Sequence, residues 1–398
     1  MRDVNNPGLE QIVPDETRYE IDLILACSKG SLNENDRDTI AHILKNELNW
    51  DYFYRQAERH LLIPLIFHNL MNTAPEHVPE EILRQMNKVY LHSMTRSMIQ
   101  TRQLLEVIQL FAEHEIPVIA YKGVALSQKI YRDIGLRISF DIDILVRQQD
   151  AILARDLLVL RGYHPLVSLT PEQDKKFVHL RCEHGLVHPH REMIDIHWQF
   201  IPWYYLHPFE ETDIWSGLRG ISLEGKEIST LSAEMLIIAL CIHGAKHQWK
   251  ELKQVCDIAG IIASEKDINW ELILKIAREK RIERILFLGL RLGEVFMNAE
   301  LPQTVSRVVR GDPGVQRLVS SSIDTMFRGE QSQVGDIQDV QYWLSVRESL
   351  WDKFRVVSLL VFTPNHDDWA YISLPWILSP LYYIIRPIRL AFEYGVKG

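Results

Sequence analysis

The sequence predicts an α+β protein whose mixed strand-and-helix core lies between two helical regions. Two observations carry this: apolar residues at helical spacing before about residue 115 and after about residue 232, and short strand-like runs between Ile116 and Trp198. A third is composition. The 398 residues are 46% hydrophobic and 24% charged, with a mean hydropathy of −0.10, which excludes disordered, collagen-like and disulfide-rich classes. The length suits two or three domains. Texture changes divide the chain into an N-terminal helical region (1–104), a core (105–230) and a C-terminal helical region (231–398) ending in an apolar strap.

In the first region, TRYEIDLILACSKG places Ile21, Leu23, Ile24 and Leu25 before a stop at Gly30. Asn35 or Asp36 then caps a helix striped with Ile40, Ile43, Leu44 and Leu48. A long helical run follows, with Pro79 near its start. At Ile116 the pattern changes to a strand, IPVIAY, closed by Lys122-Gly123, and then to a helix from Val124 to Tyr131. Asp141-Ile142-Asp143-Ile144 alternates with the period of a strand, so its aspartates share one face and its isoleucines the other. A helix ending at Gly162 precedes two more strand-like runs, around Gly185–His188 and Met193–Trp198. From Ser232 the chain is mainly helical, and 328–341 reads as a loop.

The charge balance excludes some partners. Lys and Arg number 44 against 53 Asp and Glu, a net charge of −9, whereas a phosphate-backbone binder carries a basic surplus. No long nucleic acid is expected as partner. The four cysteines form no C-x-x-C pair and lie in apolar runs, as reduced core thiols of a cytoplasmic protein do. Met1–Pro14 is polar and lacks the apolar stretch of a signal peptide. Ala370–Ile385 is free of charge but short for a membrane span and broken by Pro375 and Pro380. It reads first as a strap on the body; peripheral docking on a membrane or protein partner through 369–398 is the alternative.

Three acids carry the chemistry. Asp141 and Asp143 share a strand face, and Asp195 lies on a strand 52 residues further on. If the two strands are neighbours, the carboxylates converge, and like charges so placed call for a divalent cation. Lys122-Gly123 falls at a strand-to-helix turn, where helix N–H groups, a permissive glycine and an ammonium favour phosphate. Arg137 is a second candidate phosphate ligand.

The order YKGVALSQKIY, IGLRISFDIDILV and IDIHW resembles the uncharacterised nucleotidyltransferase family of the DNA polymerase β-like superfamily. The resemblance is strong over about 105–200 and looser to either side. It implies a nucleotidyltransferase-fold core. Asp141, Asp143 and Asp195 would be the metal and catalytic residues, holding Mg²⁺ or Mn²⁺, with two ions expected. Lys122, Gly123 and Arg137 would bind the nucleotide. The turn departs from the Gly-Ser common in the superfamily: Val124 follows Gly123, and 18 residues separate Gly123 from Asp141.

Histidines crowd the same region. His197 shares a face with Asp195, and His243 and His247 are one helical turn apart; these three are candidate substrate contacts. HGAKH lacks the Glu of a zinc-protease helix. Lys246, Lys250 and Asp257 read more simply as surface charges and an ion-pair partner. The expected reaction moves a nucleoside monophosphate from a nucleoside triphosphate, ATP first, to a hydroxyl or phosphate of a small molecule or peptide. A non-catalytic nucleotide-binding scaffold and a toxin-like tRNA nucleotidyltransferase are the alternatives.

Overall fold

The computed structural model describes residues 17–327, 336–364, 368, 371, 372, 374 and 376–395. The polar N-terminal stretch, and Ala370, Ser373 and Pro375 of the segment read as a strap, lie outside the described residues.

Five helices open the chain: α1 (Arg18–Cys27), α2 (Glu34–Ile43), α3 (Trp50–Arg59), α4 (Ile63–Met71) and α5 (Glu80–Ala112). Local chemistry sets their starts. The Asn33 and Asp36 side chains cap one another's backbone at the start of α2, and Pro79 is the residue before α5. At 33 residues, α5 runs about 50 Å and joins two hydrophobic clusters among the described residues.

The core follows as β1 (Ile119–Ala120), α6 (Gly123–Tyr131), β2 (Asp141–Leu145), α7 (Ala151–Leu160), β3 (His164–Pro165), α8 (Pro171–Leu180), β4 (Glu183–His188) and β5 (Arg191–His197). Its strands form a mixed sheet in the order β1-β2-β5-β4-β3. Only the β2–β5 pair is parallel. The six-residue run IPVIAY supplies just two ladder residues, because β1 is a short antiparallel edge against the end of β2. A short helix, α9 (Glu211–Trp215), and a hairpin of β6 (Arg219–Leu223) and β7 (Lys226–Thr230) complete the core. Glu224 and Gly225 both take positive φ in the hairpin turn.

The remainder is helical: α10 (Ala233–Lys246), α11 (Leu252–Ser264), α12 (Trp270–Glu279), α13 (Glu283–Met297), α14 (Gln303–Gly311), α15 (Pro313–Phe327), α16 (Asp336–Ser345), α17 (Leu350–Phe362) and α18 (Tyr382–Gly395). The loop expected at 328–341 is corrected in its second half. There α16 begins at Asp336, and further along it Trp343 is buried. Residues 328–335 lie outside the described residues. Trp351, Phe354, Ile384, Ile388 and Phe392 of α17 and α18 are exposed. Among the described residues no helix is long and apolar enough to cross a membrane.

Strand alternation sorts the sheet into two faces. Ile142, Ile144, Ile194 and Ile196 bury against Leu104 and Phe111 of α5 and Ala154 and Leu158 of α7. The opposite face carries Asp141, Asp143, Asp195 and His197, and looks toward α10 and α11. Leu145, on this second face, joins a larger cluster containing Ile24 and Leu70 of the first helices and Leu240, Ile258 and Leu288 of the later ones.

Candidate active site

Parallel pairing of β2 with β5 puts Asp143 directly beside Asp195 and Leu145 beside His197. Ligating atoms of Asp143, Asp195 and His197 all lie within 4.8 Å of one another. Asp141 stands two residues before Asp143 on the same face, with its carboxyl outside that tight group. Burial, and then the Asp143 charge, raise the Asp141 pKa. Burial also pushes Asp195 up to about 6, with Asp143 and Asp141 adding to the rise and His197 opposing it.

Asp143 is the opposite case. Burial disfavours its charge, yet Lys122 and His197 together hold it well below the usual carboxylate range. Lys122 Nζ donates to Asp143 Oδ1 at 2.7 Å, and His197 Nε2 lies 2.8 Å from the same oxygen. On its other side His197 Nδ1 is 3.2 Å from Glu183 Oε2. Lys246 of α10 grips both Glu183 oxygens at 3.0 and 3.1 Å. Burial opposes the Glu183 charge, but His197 and Lys246 hold its pKa down at about 2. A chain of polar contacts therefore runs Lys246–Glu183–His197–Asp143–Lys122. Glu183 was missed by sequence reasoning: it reaches the site through its register opposite His197, which no local pattern announces.

Gly185 of β4 sits across from Asp195, and a Cβ there would come within 2.6 Å of Leu166 Cδ1 and 3.1 Å of Asp195 Oδ1, so glycine lets both side chains lie close over the strand. Two ionisable carboxylates and an imidazole so close together fit a divalent cation completed by phosphate and water oxygens.

The predicted turn is also in place. Gly123 opens α6 at φ +56°, in the left-handed region, and Lys122 places no side-chain cap on the helix start. A Cβ on Gly123 would meet Ser139 Oγ at 3.5 Å and the Asp141 carbonyl oxygen at 3.6 Å, ordinary contacts that place the turn beside the start of β2. Conformation, not space, calls for glycine there.

Arg137 is near the acids but engaged with another partner. Its guanidinium grips Asp257 of α11 in a bidentate pair, Nε–Oδ1 2.7 Å and Nη2–Oδ2 2.9 Å, with both side chains buried. Desolvation works against that cation, but Asp257 more than offsets it and raises the Arg137 pKa. The rings of His243 and His247 at the end of α10 meet at a tilt, with centres 4.6 Å apart. Burial keeps both neutral at ordinary pH: His243 is held well below its usual value and His247 at about 4, with the nearby cations adding to the effect. His184, by contrast, stacks on Phe177 at 4.6 Å, away from the acids.

The profile of the uncharacterised nucleotidyltransferase family matches residues 46–298, well over half the chain. The chain belongs to this family. The nucleotidyltransferase so identified is a transferase, and its general reaction is nucleotidyl transfer from a nucleoside triphosphate to an acceptor. Nucleotidyltransferases generally use a divalent metal with that donor, and the Asp-Asp-His group is a candidate site for it. The matched span contains every residue of that chain of contacts and of the Gly123 turn. Among solved structures, a crystal structure of the lincosamide antibiotic adenylyltransferase LnuA with lincomycin bound matches at 15% identity, covering 41% of this chain and 97% of that one with a TM-score of 0.29. No curated protein matches the chain.

Proposed function

We propose that this nucleotidyltransferase moves a nucleoside monophosphate, with ATP the first donor to test, onto a hydroxyl or phosphate of a small molecule or peptide. The acceptor oxygen bonds to the α-phosphorus, the bond from that phosphorus to the bridging oxygen breaks, and pyrophosphate leaves; a hydroxyl acceptor gives its proton to water. The observation that carries this reading is the meeting of Asp143 and Asp195 on adjacent parallel strands, beside a left-handed glycine turn at a helix start.

Asp143, Asp195 and Asp141 would hold Mg²⁺ or Mn²⁺, two ions when the donor is bound. Such cations supply charge neutralisation at the phosphates and activation of the attacking oxygen. His197 orients the Asp143 carboxylate and is itself held against Glu183. Lys122, now on Asp143, is placed to follow negative charge onto a phosphate once that carboxylate is otherwise neutralised. Gly123 lets phosphate approach the α6 backbone. Arg137 acts on phosphate indirectly, by fixing the strand-entry loop to α11.

The test is a thermal-shift panel of the four ribonucleoside triphosphates with Mg²⁺ or Mn²⁺, on the natural chain and on Asp141→Asn/Asp195→Asn. A ligand at 100 times its dissociation constant stabilises by about 2.7 kcal/mol, a shift of a few degrees. The expected result is a metal-dependent shift with one triphosphate that the variant loses, followed by pyrophosphate release with the right acceptor. No shift with any triphosphate sinks the reading. Tight binding with no pyrophosphate release across an acceptor panel would favour the scaffold reading instead.

A further inference from the structure

The wall facing the acids is built by the end of α10, a sharp turn and the start of α11. Gln248 and Trp249 both take φ +54° in that turn, a conformation costly for residues with side chains. Packing holds them there. Trp249 is fully buried, and a Cβ on Gly244 or Gly289 would strike its ring at 2.5 or 2.9 Å. The turn is thus a rigid mount, and it presents His247 on one side and Lys253 on the other.

The cations around the cleft are not equally balanced. Lys122 has Asp143, Arg137 has Asp257, and Lys246 has both oxygens of Glu183. Lys253 has less. Its Nζ donates to the Ile138 carbonyl at 3.3 Å, approaches Glu251 only to 3.7 Å and lies 6.0 Å from the Phe140 ring centre. Burial and the nearby Arg137 charge lower its pKa, while Glu251, Asp257 and Asp141 act only to raise it. A largely buried ammonium with so little counter-charge calls for an anion. The His247 ring, an electrostatic neighbour of Lys122, Lys246 and Lys253, makes no hydrogen bond to another of the described residues.

We propose that Lys253 and His247 form the subsite for the polyphosphate arm of the donor, and so for the pyrophosphate product. The arm then lies between the α10–α11 turn and the acids, with Lys122 at its inner end. This rests on the nucleotidyl-transfer reading above and adds to it the residues that hold the leaving group.

The experiment uses the full chain with Mg²⁺ and titrates three probes by calorimetry: the donor triphosphate, inorganic tripolyphosphate and the matching nucleoside monophosphate. His247→Gln and Lys253→Gln are each expected to weaken the triphosphate and tripolyphosphate about 10-fold, the loss of one charged hydrogen bond. Monophosphate affinity is expected to hold, and Lys253→Arg to restore most of the loss. Triphosphate and tripolyphosphate affinities unchanged in folded His247→Gln and Lys253→Gln would overturn the subsite while leaving the reaction standing. So would an equal loss for all three probes. A natural chain that binds no triphosphate at all would overturn both. Should Lys253→Gln melt early through loss of its Ile138 contact, His247→Gln decides.

Discussion

Asp195 destabilises the protein that holds it. An aspartate titrates near 3.8 in the unfolded chain, and burial with neighbouring carboxylates moves Asp195 to about 6 in the fold. Between those values the native state binds more protons, so this group's contribution to stability falls as pH rises, and the full penalty stands above pH 6. Asp195→Asn is therefore expected to raise metal-free stability at pH 7.5 by roughly 1–3 kcal/mol, and by less at pH 5. Urea melts of both chains at the two pH values check this; equal midpoints at pH 7.5 would show that the carboxylate is already compensated. Asp143 does not share the behaviour, because Lys122 and His197 hold its charge in place. One carboxylate is fixed and its neighbour is left to be neutralised by what binds, a division of roles suited to a site that assembles around an incoming cation.

At the scale of elements, the start of α6 is where the proposed donor turn can be tested. The backbone of Gly123 is left-handed, and the space around it would admit a methyl group. Gly123→Ala is thus expected to cost about 1–2 kcal/mol from backbone conformation alone, read as a lower melting temperature, and to weaken the triphosphate shift as the turn relaxes. Unchanged melting would mean that the turn tolerates an L side chain, and that its glycine answers only to the ligand. This turn was legible in the sequence because a strand, a glycine and a helix follow one another locally. So were β2 and β5, through the alternation of Asp141–Ile144 and Met193–His197, and α5, through its long apolar stripe. What stayed hidden depends on partners far apart in the chain. Arg137 reads as a phosphate ligand until Asp257, 120 residues away, is seen to take its guanidinium. Glu183 is one acid among many until strand register sets it opposite His197. Lys253 gains its meaning only from α11 packing beside the loop that enters β2. The hairpin turn at Glu224-Gly225 was a readable local signal that the helical texture following it masked.

For the whole molecule, the helices before and after the core share one interior. Ile24, Ile66 and Leu70 bury in the same cluster as Leu240, Ile258 and Leu288. The contacts between them are specific as well as apolar: the Leu252 N–H donates to His60 Nδ1 at 3.2 Å, Arg59 Nη2 donates to the Thr325 carbonyl at 2.9 Å, and His60 meets Phe327 edge-on at 5.3 Å. His60 thereby connects the N-terminal helices to the first residue of α11, the helix that carries Lys253 and Asp257. Residue 105 falls inside α5, whose Ile82 and Met86 belong to this shared interior while its Leu104 and Phe111 back the sheet. A chain beginning at residue 105 would keep every acid of the site, yet it would expose the inner faces of α10, α11 and α13. It is expected to lose near-ultraviolet dichroism and cooperative melting, to bind a hydrophobic dye, and to lose the triphosphate-dependent shift. A monomeric chain of 105–398 that melts cooperatively and still binds the donor would show the opposite: that the first hundred residues are an appendage, and that α11 holds its place against the acids without them.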